Sequence, residues 1–269
     1  MNPLSAIKKY YWVNVYPIIT LNSTTKLKSS VKRFLQKTMG FDNFLYLFSL
    51  VNIHRTKYEE EFHQFYNMIE DKGIILDIGA NIGIMTTLIA KKSPNAKIYA
   101  FEPIPENLRT LKRVVDHYKL KNVTIYEAAL GEQNGELKMV MPIIDNVKMQ
   151  GLSHVLDENS DERIDSGNVY SVPVYKLDDL KELKTGEKIT AIKIDVENFE
   201  YPVLKGGEQI LKDHKPLIYC ELWDNEKKYI TLDFLKGMGY KVKIYDNKQL
   251  VDYENQPATN FFFLPESAA

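Results

Sequence analysis

The chain has 269 residues, with 35 Lys and Arg against 36 Asp and Glu and a formal net charge of −1. That length can build one large domain with an extension, and the charge balance lacks the basic excess of a nucleic-acid binder. The single cysteine, Cys220, excludes an internal disulfide framework and fits a reducing, cytoplasmic setting.

Lys8 and Lys9 precede an aromatic and apolar stretch, residues 10–21, that superficially resembles a signal peptide. Asn14 and Pro17 interrupt it, and no small-residue cleavage site follows. Residues 1–70 read as a helical N-terminal extension or cap, with a membrane-surface anchor at its start as the lesser alternative. Within it, Phe34, Met39, Phe44, Leu45 and Phe48 lie near helical spacing. Residues 40–43 mark a break, with Asp42 or Asn43 as N-cap, and residues 58–68 give a third amphipathic piece.

Residues 71–269 alternate strand and helix patterns. Strands are expected at 74–78, 97–101, 123–126, 189–194, 216–220, 241–245 and 260–264, and helices at 84–92, 106–117, 201–211 and 229–238. The alternation predicts a doubly wound α/β, Rossmann-like sheet of seven mostly parallel strands. The last two strands lack a helical connection, so the final one should run antiparallel. Cys220 falls inside an apolar strand pattern and reads as a buried thiol. Between Gly131 and Leu180 the alternation breaks. Two β-like pieces, 136–141 and 169–175, flank a polar loop with an acidic stretch at 156–165, an insertion that could reach over a ligand cleft.

The stretch around which the chain is organised is Ile74-Ile75-Leu76-Asp77-Ile78-Gly79-Ala80-Asn81-Ile82-Gly83, a buried strand running into a glycine turn and a helix. A dinucleotide fingerprint needs glycines at the first, third and sixth places of the turn. Counting from Gly79, those later places hold Asn81 and Ile84. The acid Asp77 at the entry would repel a pyrophosphate but suits a cationic ligand such as S-adenosylmethionine. About twenty residues on, Ala100-Phe101-Glu102-Pro103 ends a strand in a carboxylate placed to accept hydrogen bonds from a ribose diol.

These residues resemble those of class I S-adenosylmethionine-dependent methyltransferases, and more narrowly of the FkbM-type family. The resemblance adds Ala128-Ala129-Leu130-Gly131, Val172-Pro173-Val174 before Leu177-Asp178-Asp179-Leu180, and Ile192-Lys193-Ile194-Asp195-Val196-Glu197. It departs at Asn198, where the family usually has glycine; asparagine is among the residues that best tolerate a left-handed backbone. The resemblance implies methyl transfer to a hydroxyl of a sugar, glycan or other natural product. It also implies that Asp77, Gly79, Ala80, Asn81 and Gly83 surround the methionine part of the cofactor. Glu102 and Pro103 would lie at the ribose, Ala129 and Leu130 beside the adenine, and Asp195 at the same edge.

An alcohol needs its proton removed before it attacks carbon, so a base or a metal is expected near the acceptor. Asp195 and Glu197, at the carboxyl end of the fourth strand, are the candidates, with purely structural capping as the alternative. No Cys/His cluster has zinc spacing, no metal site is assigned, and a divalent ion at Asp195 lacks a second acidic cluster to pair with it. His154, opening the inserted loop, is the histidine expected nearest the cleft. Glu221, after the fifth strand, points toward the same edge. A non-catalytic binding or scaffold protein of the same fold is the alternative function, and a nicotinamide oxidoreductase is disfavoured by the missing glycines.

Overall fold

A computed structural model describes residues 25–55, 60–144, 146–156 and 167–266. The aromatic stretch 10–21 and residues 157–165 of the acidic loop lie outside the described residues. Three helices come first: Thr25–Met39 (α1), Phe41–Arg55 (α2) and Glu60–Met68 (α3). The break falls at Gly40, which takes a φ of 79°. Helix α2 starts one residue later, so Asp42 and Asn43 sit inside its first turn rather than capping it. Asp42 instead makes a two-pronged ion pair with Arg109, at 2.6 and 3.0 Å.

The alternating half follows in the expected places. Ile74–Ile78 (β1), Ile84–Lys92 (α4), Lys97–Phe101 (β2), Pro105–His117 (α5) and Val123–Tyr126 (β3) build one wing. After the insertion come Ile189–Ile194 (β9), Glu200–Gly206 (α6), Glu208–His214 (α7), Leu217–Glu221 (β10), Glu226–Gly237 (α8) and Tyr240–Asp246 (β11). Gln249–Asp252 (β12) and Asn260–Pro265 (β13) close the sheet, whose order is β12-β11-β13-β10-β9-β1-β2-β3.

The sheet has eight strands rather than seven. The added strand, β12, returns from β11 through Asn247 and Lys248, both left-handed at φ 48° and 67°. That is the backbone of a tight primed hairpin turn, here made without the usual glycine. β13 runs antiparallel to both β10 and β11, as expected of the final strand. The expected single helix at 201–211 is broken in two at Gly206-Gly207, where the backbone passes so close to β4 that a side chain on Gly206 would stand 2.0 Å from the Gly131 carbonyl oxygen.

Every residue of β1 is buried, because helices cover both sheet faces. Ile75 packs with Ile98, Ala191, Tyr219 and Phe262 against Phe62 and Phe65 of α3 and Ile89 of α4. Leu76, Ile78, Ile192 and Ile194 face the other way, against Val203, Leu211, Leu232 and Leu235. Cys220 is buried, as its strand pattern implies.

The insertion folds as a second sheet of Ala129–Gly131 (β4), Gly135–Ile144 (β5), Val147–Lys148 (β6), His154–Val155 (β7) and Gly167–Lys176 (β8). The expected pair of added strands is the antiparallel β5–β8 ladder, running from Gly135 opposite Val174 to Pro142 opposite Gly167. Asp178 caps α7 by accepting the backbone N–H groups of Gln209 and Ile210, both at 3.0 Å. Among the described residues no helix is long and apolar enough to cross a membrane.

Candidate active site

The chain passes from β1 outward to β3, then returns to lay β9 on the other side of β1. A crevice opens outside the carboxyl ends of two strands at such a switch point. Here it lies between the turn after β1 and the loop after β9.

The turn is shaped by left-handed residues: Gly79 at φ 76°, Asn81 at 50° and Gly83 at 80°. A Cβ on Gly79 would stand 1.9 Å from the Asp195 carbonyl oxygen, and one on Gly83 would stand 2.7 Å from Leu111 Cδ1. At Gly79, where the blocking atoms are backbone, glycine is therefore required by close packing as well as by φ; at Gly83 the φ is the firmer reason. The N–H groups of Gly79 and Ala80 donate to the Phe101 carbonyl, at 3.0 and 2.9 Å. On the outer side, Ser49 of α2 donates its hydroxyl to the Ile82 carbonyl at 2.9 Å, tying the N-terminal helices to the turn.

Glu102 ends β2 beneath this turn, only 4 % exposed. It accepts the backbone N–H of Asn81 (2.8 Å), that of Ile104 (2.9 Å) and the Asn107 amide (3.2 Å). Burial pushes its pKa up to about 7 against the pull of those donors.

Asp77 and Lys193 face each other in register across β1 and β9. Asp77 is wholly buried; it accepts the Thr86 hydroxyl at 2.6 Å, and Lys193 Nζ lies 3.5 Å from its other oxygen. Lys193, 3 % exposed, donates to the Gly79 carbonyl at 2.8 Å and stands 3.7 Å from Asp195. Burial disfavours its charge, but the Asp195 and Asp77 carboxylates outweigh that and its pKa is raised. Sequence reasoning missed Lys193. The available signal was a lysine flanked by isoleucines in a central strand, a place where a charge needs a partner.

The loop after β9 carries the acids. Glu197 and Asn198 are both left-handed, at φ 52° and 71°, so asparagine does take the conformation for which glycine is usual. Glu200, at the start of α6, accepts the N–H groups of Asn198 (3.1 Å) and Val196 (3.4 Å) and fixes the loop. Burial, then the Asp195, Glu221 and Glu200 carboxylates, hold the Glu197 carboxyl well above its ordinary range. Burial likewise pushes Glu200 up to about 7.

A cavity open to solvent joins these parts. It brings together Gly79, Asn81, Glu102, Pro103, Ala129, Leu130, Asp195 and Glu197, with Asn107 of α5 and Gln150 and Ser153 of the insertion. Asp77, Ala80, Gly83 and Glu221 are not in its wall. Neither is His154. Val155 and its cross-strand partner Met139 line the cavity while His154 and its partner Val140 do not, which puts the imidazole on the other face, with its Nδ1 2.8 Å from the Leu152 carbonyl. Among the described residues no three His, Cys, Asp or Glu side chains form a group that could hold a metal ion.

Residues 77–242 match the methyltransferase FkbM domain. The chain belongs to the FkbM methyltransferase family. A relative named Methyltransferase 1, from Beauveria bassiana, is 26 % identical over 189 residues, which cover 65 % of this chain and 74 % of that one. The 2-O-methyltransferase NoeI of Sinorhizobium fredii is 29 % identical over 161 residues, covering 57 % of this chain and 64 % of NoeI. The crystal structure of methyltransferase FkbM from Methylobacillus flagellatus aligns with a TM-score of 0.50 at 18 % identity, a likeness of fold. The alignment covers 82 % of this chain but only 54 % of that longer one.

Membership implies S-adenosylmethionine as the methyl donor of this FkbM methyltransferase, and the cavity wall suits it. Three of its polar groups are carboxylates: Glu102, Asp195 and Glu197. Three more lining residues, Asn81, Asn107 and Gln150, carry amide oxygens that are buried without a hydrogen-bond partner among the described residues. Such a wall accepts hydrogen bonds and favours cations. An ammonium, a sulfonium, a ribose diol and an adenine amine are the complementary set.

Proposed function

We propose that this methyltransferase uses S-adenosylmethionine to methylate a hydroxyl oxygen of a sugar, glycan or related natural product, with Glu197 as the base. The observation that carries this reading is the position of Glu197. It lines the cavity beside Asp195, directly across from the glycine turn, with its carboxyl held well above the ordinary range. A buried carboxylate held above its ordinary range is a stronger base than a solvated one, which is what deprotonation of an alcohol needs.

The cofactor supplies a methyl carbon on sulfonium, an electrophile the protein need not activate. Gly79 and Asn81 would hold its methionine part, Glu102 its ribose, and Ala129 and Leu130 its adenine. Asp77 supports the site from beneath, through Lys193 and the Gly79 carbonyl. Asp195 would orient the acceptor hydroxyl and Glu197 would take its proton on a carboxylate oxygen as the oxygen bonds to the methyl carbon, the carbon–sulfur bond breaking with its electron pair left on sulfur; Glu200 holds the loop still. Much of the rate then comes from placement. Oxygen as the atom methylated is in line with the naming of NoeI as a 2-O-methyltransferase.

The test is methyl-labelled S-adenosylmethionine offered with a panel of mono- and oligosaccharides. Label in a base-stable ether is the expected product. Label appearing only on an amine or a carboxyl would overturn the assignment to hydroxyl oxygen.

A further inference from the structure

We infer that Asn107 and Gln150 form a recognition subsite for the nucleoside half of the cofactor, which the inserted sheet completes. Asn107 stands in the first turns of α5, 2 % exposed, and donates its amide N–H to Glu102 at 3.2 Å. That bond decides which way the amide faces, since the reverse orientation would set two acceptor oxygens together. Asn107 lines the cavity, and its oxygen is buried with no hydrogen-bond partner among the described residues.

Gln150 reaches the same cavity from the insertion. It opens the short helical turn Gln150–Leu152 after β6, is 7 % exposed, and its oxygen is likewise unpartnered. A buried amide oxygen with nothing to accept is costly. Two of them in one cavity share an explanation if the ligand there donates.

Glu102 says which part of the ligand that is. Asn107 is bonded to this carboxylate, the one assigned to the ribose, so its free oxygen lies at the nucleoside end. A nucleoside offers hydroxyl donors and an exocyclic amine. The strap carrying Gln150 is also held from behind. The Gln36 side chain of α1 pairs with the backbone N–H and carbonyl of Lys148, each at 3.4 Å, and Lys32 Nζ lies 3.8 Å from Met149 Sδ. The insertion is thus a wall of the cofactor site, braced by the first helix.

This inference rests on the cofactor reading above, and the experiment separates the two. The full chain and its Gln150→Leu variant are titrated calorimetrically with S-adenosylhomocysteine and with methylthioadenosine, which lacks the amino-acid part. Ligand-free melting temperatures are measured in parallel. Gln150→Met serves where leucine disturbs folding.

Both ligands should bind the variant about tenfold more weakly, with a ligand-free melting temperature unchanged or higher, since apolar replacement removes an unpaired oxygen. A lower melting temperature with normal affinity overturns the subsite and makes Gln150 a structural residue. Weakening for S-adenosylhomocysteine alone overturns the nucleoside assignment. Wild-type chain that binds neither ligand overturns the cofactor reading itself.

Discussion

The carbonyl oxygen of Asp195 occupies the space that a side chain on Gly79 would need, 1.9 Å from the would-be Cβ. The turn after β1 and the loop after β9 therefore meet backbone to backbone at this point. Gly79→Ala must separate the two strand ends and force a non-glycine residue into φ 76°. We expect a loss of at least about 2 kcal/mol of stability, together with loss of cofactor binding, measured by urea unfolding and calorimetry.

Lys193 holds the same junction from below, against Asp77 and Asp195. Removing one partner of a buried ion pair costs about 3–5 kcal/mol, because it leaves the other charge uncompensated. Lys193→Met should lower the melting temperature steeply. Asp77→Asn in the same chain should recover much of that loss, because the amide needs no counter-ion. Additive losses in the double variant would show that the two groups do not pair.

Glu102 makes a pH-dependent contribution. With its pKa at about 7 in the folded chain and 4.5 as the ordinary value, the folded state holds a proton that the unfolded state has released. Stability from this group is fullest below pH 4.5 and falls as pH rises to 7. Glu102→Gln removes that slope. Relative to wild type, the melting temperature of the ligand-free variant should rise by several degrees between pH 4.5 and pH 8, at about 2–4 °C per kcal/mol. Ribose hydroxyls donate to the ionised form, so S-adenosylhomocysteine should bind wild type more tightly at pH 8 than at pH 6. A flat profile would contradict the ribose assignment.

Glu197→Gln keeps the shape of the loop and removes the base. Turnover on a hydroxyl acceptor should fall by at least about 100-fold, while affinity for S-adenosylhomocysteine changes less than about threefold. His154→Ala, by contrast, should leave turnover near wild type, since its ring is turned from the cavity. The opposite pattern would move the base from the loop to the insertion.

The parts of this fold written in local pattern were legible from the residues alone. The apolar run Ile74–Ile78, the turn glycines and the acid at 102 are neighbours in sequence, and their periodicity and spacing carry their meaning. What was not legible depends on tertiary partners. Asn107 and Gln150 look like ordinary helix and loop residues until the insertion folds over the cavity. The orientation of His154 was decided by which face of β7 meets the cavity, and a two-residue strand has no periodicity to read. β12 escaped notice because Asn247 and Lys248 make its turn without glycine, the usual hairpin mark.

Direct binding tests whether the turn after β1 serves an adenosyl cofactor rather than a dinucleotide. The full chain is titrated calorimetrically with S-adenosylhomocysteine and with NAD, alongside Glu102→Ala. S-adenosylhomocysteine should bind, more than about tenfold more weakly to Glu102→Ala, and NAD should not bind. Tight binding of NAD with none of S-adenosylhomocysteine would contradict the adenosyl assignment.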